Sequence, residues 1–108
     1  SGTIWFGASE GMIVGYSHET GRYDEVSLDI RSGIIAVKQL NQKEIIALTS
    51  SDGFFIYNPV TGDKKHFSEK QYPALPSDEM VSVYIDKYGE AWIETTAPGV
   101  VNYDPFSG

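Results

Sequence analysis

The chain contains 108 residues with eight basic and 15 acidic side chains, giving a formal net charge of −7 at pH 7. Nucleic-acid binding is not expected, because it requires clustered Lys and Arg, and only Lys64 and Lys65 are adjacent. The absence of cysteine excludes disulfides and thiolate metal sites. No apolar run approaches the roughly 18 residues of a membrane-spanning helix, so we expect no membrane contact by this segment.

Strand patterns begin at the amino terminus, and no helical period is present in the chain. Residues 3–8 form an almost continuous apolar run, which is typical of a strand covered on both faces. Residues 11–16 follow as the return strand of a hairpin, and residues 22–28 alternate weakly, as an outer strand does. The first unit is therefore predicted to contain three strands.

The second unit is predicted to contain four strands. Its inner strand is the β-branched run at residues 34–37, and the others lie at residues 44–49, 54–57 and 64–67. The last two are joined by a turn at residues 58–62, in which proline fixes φ and glycine accepts a positive φ.

The third unit follows the longest connection, residues 68–78, which carries two prolines. Its strands are predicted at residues 80–85, 90–95 and 100–103. An Asp-x-x-Gly turn and a Pro-Gly turn separate them, and both sequences favour chain reversal.

The three units share one sequence repeat. An apolar residue in the middle of one strand precedes a tyrosine by 11 positions, and a glycine follows that tyrosine after five more. The corresponding residues are Trp5, Ile46 and Trp92, then Tyr16, Tyr57 and Tyr103, and then Gly21, Gly62 and Gly108. The distances of 41 residues from Trp5 to Ile46 and 46 from Ile46 to Trp92 match the size of one propeller blade.

The predicted fold class is therefore all-β, with antiparallel four-stranded blades of a β-propeller. With strands named A to D from the axis outward, residues 1–30 supply strands B, C and D, residues 31–68 form a complete blade, and residues 69–108 supply strands A, B and C. A ring needs at least about four blades, so these roughly two and a half blades indicate a segment of a larger propeller. We expect the isolated chain to be marginally stable or to assemble through its open edges.

The third unit carries motifs that resemble a known family. In chain order they are Leu75-Pro76-Ser77-Asp78, Asp86-Lys87-Tyr88-Gly89, Trp92-Ile93-Glu94-Thr95, Gly99-Val100 and Tyr103-Asp104. This series resembles the two-component regulator propeller repeat, although Glu94 replaces a glycine that is usual there. The first unit matches through Trp5-Phe6-Gly7-Ala8, with an additional small residue at Gly15. The second departs from the repeat at Ile46, where tryptophan is usual, and at residues 41–43, where Asp-x-x-Gly is usual.

The resemblance implies a function that composition cannot give. Such repeats build the periplasmic sensor region of membrane-bound hybrid histidine kinases, which respond to carbohydrate fragments and control polysaccharide-utilisation genes. This segment would then be non-enzymatic and carry no cofactor or metal, and any histidine kinase activity would belong to another part of the parent protein. Its partners would be the rest of the propeller and receptor, a carbohydrate ligand, and a second copy of the parent receptor in a homodimer.

Two other classes of function remain open. One is a propeller enzyme, such as a streptogramin-lyase-like protein, a polysaccharide lyase or a quinoprotein dehydrogenase. Residues 55–62 are similar to the Asp-x-x-Thr-Gly element of quinoprotein blades, but its aspartate and the tryptophan that usually follows are missing. Lyases need a histidine near the axis, whereas His18 and His66 fall in outer turns or strands. The other class is a propeller that binds only proteins, which the flanking domains would reveal.

Most of the conspicuous side chains are expected to be structural. Trp5 and Trp92 could stack on sugar rings, but their place in the repeat favours packing between blades, as it does for the repeated tyrosines. Asp86 and Gly89 form a turn rather than a calcium loop, because calcium needs about six to eight oxygen ligands. His18 and His66 are expected at the surface.

The carboxylates Asp24, Glu25, Asp52, Asp78 and Glu79 are candidates for paired-carboxylate chemistry only if folding brings two of them into one cleft.

Tyr72 is the candidate ligand-binding residue. In an up-and-down blade the B–C turns and D–A connections emerge on one face, so the turns at residues 9–10, 51–52 and 97–98 should share a face with residues 68–78. Tyr72 is the aromatic residue of that long connection and is expected to be exposed there. No catalytic or metal-binding residue is predicted.

Overall fold

The computed structural model describes residues 2–106, which form ten strands joined by turns. The strands are β1 Thr3–Gly7, β2 Met12–Ser17, β3 Tyr23–Ser27, β4 Ile34–Gln39, β5 Ile45–Thr49, β6 Phe54–Tyr57, β7 Lys64–Phe67, β8 Met80–Ile85, β9 Ala91–Thr95 and β10 Val100–Tyr103. Gly108, the last glycine of the predicted repeat, lies outside the described residues. Within the described range, no helix is long and apolar enough to cross a membrane.

The strands form three antiparallel sheets, each built from strands consecutive in the sequence. The first sheet has the order β1-β2-β3, the central sheet β4-β5-β6-β7, and the third β8-β9-β10. This arrangement confirms the predicted fold class, an all-β run of antiparallel propeller blades. The blade boundaries at residues 30/31 and 68/69 remain predictions.

The central sheet is covered on both faces, because the side chains of a strand alternate between the two sides. Ile46 and Leu48 of β5 pack towards the third sheet in one apolar cluster. Ile45 and Ala47 pack towards the first sheet in another. All five residues of β5 are therefore buried, which explains why this strand has no polar face.

The interface between the first and central sheets depends on one glycine. Trp5 on β1 lies opposite Gly15 on β2, and its ring lies so close that a Cβ on Gly15 would come within 2.6 Å of it. The other side of Trp5 meets Tyr57 edge-on, with the ring centroids 6.0 Å apart. Gly15 is therefore required by the flat packing of Trp5 on its neighbouring strand.

Two lysines connect neighbouring sheets. On the inner strands, Lys38 Nζ of β4 donates to the backbone oxygen of Val83 on β8 at 2.9 Å. On the outer strands, Lys64 Nζ of β7 donates to the backbone oxygen of Ser27 on β3 at 2.9 Å and lies 3.7 Å from the Asp29 carboxylate. Each sheet is thus held to the next by charge-assisted bonds as well as by apolar packing.

Each long connection between sheets is hydrogen-bonded to the hairpin turns on both sides of it. The connection after the first sheet bonds through Ser32 O to Gly11 N and through Gly33 O to Ser50 N, each at 3.0 Å. The connection after the central sheet bonds through Asp78 O to Gly53 N at 2.9 Å, and Glu79 O accepts from Thr96 N. The expected sharing of one face by the B–C turns and the D–A connections is therefore confirmed.

Candidate functional site

The loop that carries Tyr72 has a closed base. Glu69 N donates to Asp78 Oδ1 at 2.7 Å, and Asp78 N donates to Glu69 Oε2 at 2.9 Å. The backbone makes two tight turns around Tyr72, with Tyr72 N donating to Ser68 O and Leu75 N donating to Tyr72 O, each at 2.8 Å. These bonds fix the position at which the loop presents the tyrosine ring.

Tyr72 borders an apolar groove of about 280 Å³ between the central and third sheets. Its ring is 48% exposed and stacks on Phe67, with the centroids 4.8 Å apart, and Phe67 stacks in turn on Phe54 at 4.7 Å. Tyr103 meets Phe67 edge-on at 5.2 Å. The groove is lined by Phe54, Phe67, Tyr72, Ala74, Leu75, Val101, Asn102 and Tyr103.

The phenol of Tyr103 stays neutral at physiological pH. Tyr103 is only 5% exposed, and this burial is the main cause that raises the pKa of its hydroxyl above the usual value of 10. The negative charge of Glu44 raises the pKa further. The groove therefore presents aromatic surface without a charged group at its base.

At the interface between the first and central sheets, the space that corresponds to this groove is filled by a side chain. There, His66 of β7 stacks on Phe55 of β6, with the ring centroids 4.1 Å apart and an angle of 3° between the planes. Val101 of β10 is equivalent to Phe55 of β6. Phe55 pairs with Ala47 on β5, and Val101 pairs with Ile93, the corresponding residue of β9. Within residues 2–106, β10 pairs with no strand that corresponds to β7.

The histidines are not brought into one site. His66 lies on the outer strand β7 and is partly exposed: its ring packs on Phe55, and its Nε2 lies 2.6 Å from the backbone oxygen of Asp52. His18 is exposed in the turn after β2, beside the Tyr16 ring. In the part of the chain that the structure describes, no three His, Asp or Glu side chains are placed to hold a metal ion.

Asp86 closes the Asp-x-x-Gly turn, as predicted. Its Oδ1 accepts from Tyr88 N at 2.9 Å and from Glu90 N at 3.0 Å, while Gly89 has a φ of +82°. Its Oδ2 accepts from Trp92 Nε1 at 2.8 Å, and this bond is the main cause of a lowered pKa of the Asp86 carboxyl. The carboxylate therefore stabilises the turn through one oxygen and fixes the Trp92 ring through the other.

The two repeated tryptophans differ in their surroundings. Trp5 packs between sheets, as predicted. Trp92 is 40% exposed on a face of the third sheet that no other described residue covers, where it lies opposite Tyr84 of β8. Its predicted packing between blades therefore remains a prediction.

Comparison with known proteins gives a likeness of fold. No family model and no curated protein matches the sequence. Over 94% of its length the chain is similar to the extracellular domain of BT3049 from B. thetaiotaomicron, a protein assigned to the hybrid two-component systems, with a TM-score of 0.77 and 19% sequence identity. The chain spans 15% of the length of that neighbour. This similarity establishes the fold, and membership of the repeat family remains a proposal.

Proposed function

We propose that this chain is part of the periplasmic sensor propeller of a hybrid two-component system that binds carbohydrate fragments and regulates polysaccharide utilisation. The observation that carries the proposal is the similarity of fold, over 94% of the chain, to the extracellular domain of a protein assigned to that class. The repeat motifs of the third unit, above all Trp92-Ile93-Glu94-Thr95 and Tyr103-Asp104, support the same proposal. The segment itself performs no catalysis in this account.

The loop that carries Tyr72 is a suitable place for a ligand to act on the receptor. Its residues Asp78 and Glu79 bond the hairpin turns of the central and third sheets, respectively. A ligand held by the Tyr72 ring would contact an element tied to both sheets. A ligand can shift a conformational equilibrium only if its affinity for the two conformations differs. Because this loop is bonded to two blades, a movement of one blade relative to the other would change the loop and therefore the affinity.

The test is autophosphorylation of the complete receptor in membranes, measured against concentration for a panel of neutral oligosaccharides. We expect at least one oligosaccharide to change the rate. Tyr72→Ala should raise the half-maximal concentration about 2- to 10-fold, the loss expected from one aromatic stacking contact.

Tyr23→Ala is the matched control, because Tyr23 is a 65% exposed strand tyrosine of the first sheet, away from the loop. An unchanged half-maximal concentration in Tyr72→Ala would remove Tyr72 from the site. Insensitivity of the wild-type receptor to every oligosaccharide would count against carbohydrate sensing.

A further inference from the structure

The connection that carries Tyr72 is twice as long as the other connection between sheets. Residues 28–33 join the first and central sheets, whereas residues 68–79 join the central and third sheets. Both connections are hydrogen-bonded to the hairpin turns on each side of them. Since the shorter connection makes these contacts with half the number of residues, the additional length of the longer one is not required to hold the blades together.

The additional residues form a loop with two limbs, and the limbs are held in different ways. On the returning limb, Leu75 is 6% exposed and belongs to the apolar cluster between the central and third sheets. Asp78 attaches this limb to the central hairpin, because its backbone oxygen accepts from Gly53 N at 2.9 Å. The outgoing limb, residues 69–72, is exposed along its whole length. The limb that presents Tyr72 is therefore held by hydrogen bonds and by stacking of the tyrosine ring rather than by burial.

The two limbs are joined by a reciprocal pair of hydrogen bonds between Glu69 and Asp78, which we call the clasp. Each residue donates its backbone amide to the carboxylate of the other, at 2.7 and 2.9 Å. Such bonds are stronger than those between neutral groups, because the acceptor is ionised. Each bond also keeps the donor and acceptor of the other within reach, so we expect the clasp to open as one unit.

An open clasp would loosen the limb that presents the tyrosine. The limb would then be held by the bonds of Tyr72 N to Ser68 O and of Leu75 N to Tyr72 O, and by the aromatic stack. The ring of Tyr72 would sample more positions. A ligand that needs the ring in one position would have to restrict this motion on binding, which lowers its affinity.

We propose that Glu69 and Asp78 are positioning residues for the ligand contact of Tyr72, and that closure of the clasp sets the affinity of the receptor for its ligand. The proposal rests on the proposed function for the ligand itself. Neither carboxylate contacts the ligand in this account, because both act through the position of the tyrosine ring.

The first test needs no ligand and measures amide hydrogen exchange of the complete receptor by mass spectrometry. Asp78→Ala should speed the exchange of the Glu69 amide, which loses its acceptor, and of the Tyr72 amide, which lies on the loosened limb, by about 3-fold or more. Asp78→Asn keeps an oxygen acceptor and should restore most of the protection. Unchanged exchange of both amides in Asp78→Ala would overturn the clasp.

The second test is autophosphorylation of the complete receptor against oligosaccharide concentration. Asp78→Ala and Glu69→Ala should each raise the half-maximal concentration about 2- to 5-fold without changing the maximal rate. The double variant should be no weaker than either single variant, since each opens the same clasp. Asp78→Asn should stay within about 2-fold of the wild type. Glu10→Ala is the matched control, because Glu10 is an exposed carboxylate on the same face, in the hairpin turn of the first sheet.

The outcomes separate this inference from the proposed function. If Tyr72→Ala raises the half-maximal concentration and Asp78→Ala leaves it unchanged, the positioning role is overturned and the proposed function stands. A lower maximal rate in Asp78→Ala that Asp78→Asn does not restore would indicate a general structural defect and would also overturn the positioning role. If no oligosaccharide changes the rate of the wild type, the proposed function fails and the positioning role fails with it.

Discussion

The central and third sheets are built on one sequence repeat, yet they differ in how their second strands are buried. All five residues of β5 are buried, whereas in β9 buried and exposed residues alternate. Leu48 and Glu94 hold equivalent positions, and the first is fully buried while the second is exposed. The repeat therefore determines the backbone, and the neighbouring sheets determine which faces must be apolar.

The same contrast appears at the hairpin glycines. Gly53 and Gly99 occupy corresponding turns and both have positive φ, +77° and +97°. A Cβ at Gly53 would lie 1.9 Å from the backbone oxygen of Phe67 at the end of β7, whereas nothing lies within 4 Å at Gly99. Within residues 2–106 the third sheet has no strand equivalent to β7, so in the described structure the steric constraint acts at Gly53 and the backbone constraint acts at both glycines.

The largest effect that tests this contrast is expected at the equivalent positions of the second strands. Leu48→Ala should lower the free energy of unfolding by about 3–5 kcal/mol, because it leaves a cavity between two sheets. Glu94→Ala should change it by less than about 0.5 kcal/mol, since the side chain is exposed. Denaturant unfolding followed by fluorescence measures both, and similar values for the two variants would contradict the contrast.

A smaller difference is expected at the glycines. Gly53→Ala should cost about 2–4 kcal/mol, because positive φ disfavours alanine and the new methyl group displaces the end of β7. Gly99→Ala should cost only about 1 kcal/mol, from the backbone conformation alone. Chemical unfolding of the two variants side by side provides the measurement, and a cost at Gly99 equal to that at Gly53 would show that the strand end exerts no steric constraint.

The buried Tyr103 predicts a dependence of stability on alkaline pH. Its folded pKa is raised above the usual 10, so the unfolded chain loses the proton first. The stabilising contribution is complete below pH 10 and is lost as the pH rises through the folded pKa. Unfolding free energies of the wild type should therefore fall more steeply above pH 10 than those of Tyr103→Phe, and parallel curves would contradict this assignment.

The smallest effect concerns the exposed turn of the third sheet. Trp92→Phe removes the Nε1 donor, so the pKa of Asp86 should rise towards its usual value. In the wild type the lowered pKa means that the stabilising effect of the ionised carboxylate is lost only as the pH falls through that lowered value. Carboxyl-carbon NMR titration measures the pKa directly, and an unchanged value would mean that the two backbone amides account for the shift.

The sequence predicted the strands well because turn residues and alternation are local signals. Trp5, Ile46 and Trp92 marked equivalent strands in all three sheets, and Asp86 was placed in its turn from four residues alone. The stacking of Tyr72 on Phe67 and of His66 on Phe55 was not foreseen, because each depends on how side chains pack once the sheets have formed.

The most direct test of the account is to sequence the encoding gene outward in both directions from this segment. The account predicts further propeller repeats, then a membrane-spanning helix and a histidine-kinase core in the same reading frame. Repeats that close into a ring with histidines or acidic clusters at its axis, and no kinase, would contradict it and favour a propeller enzyme.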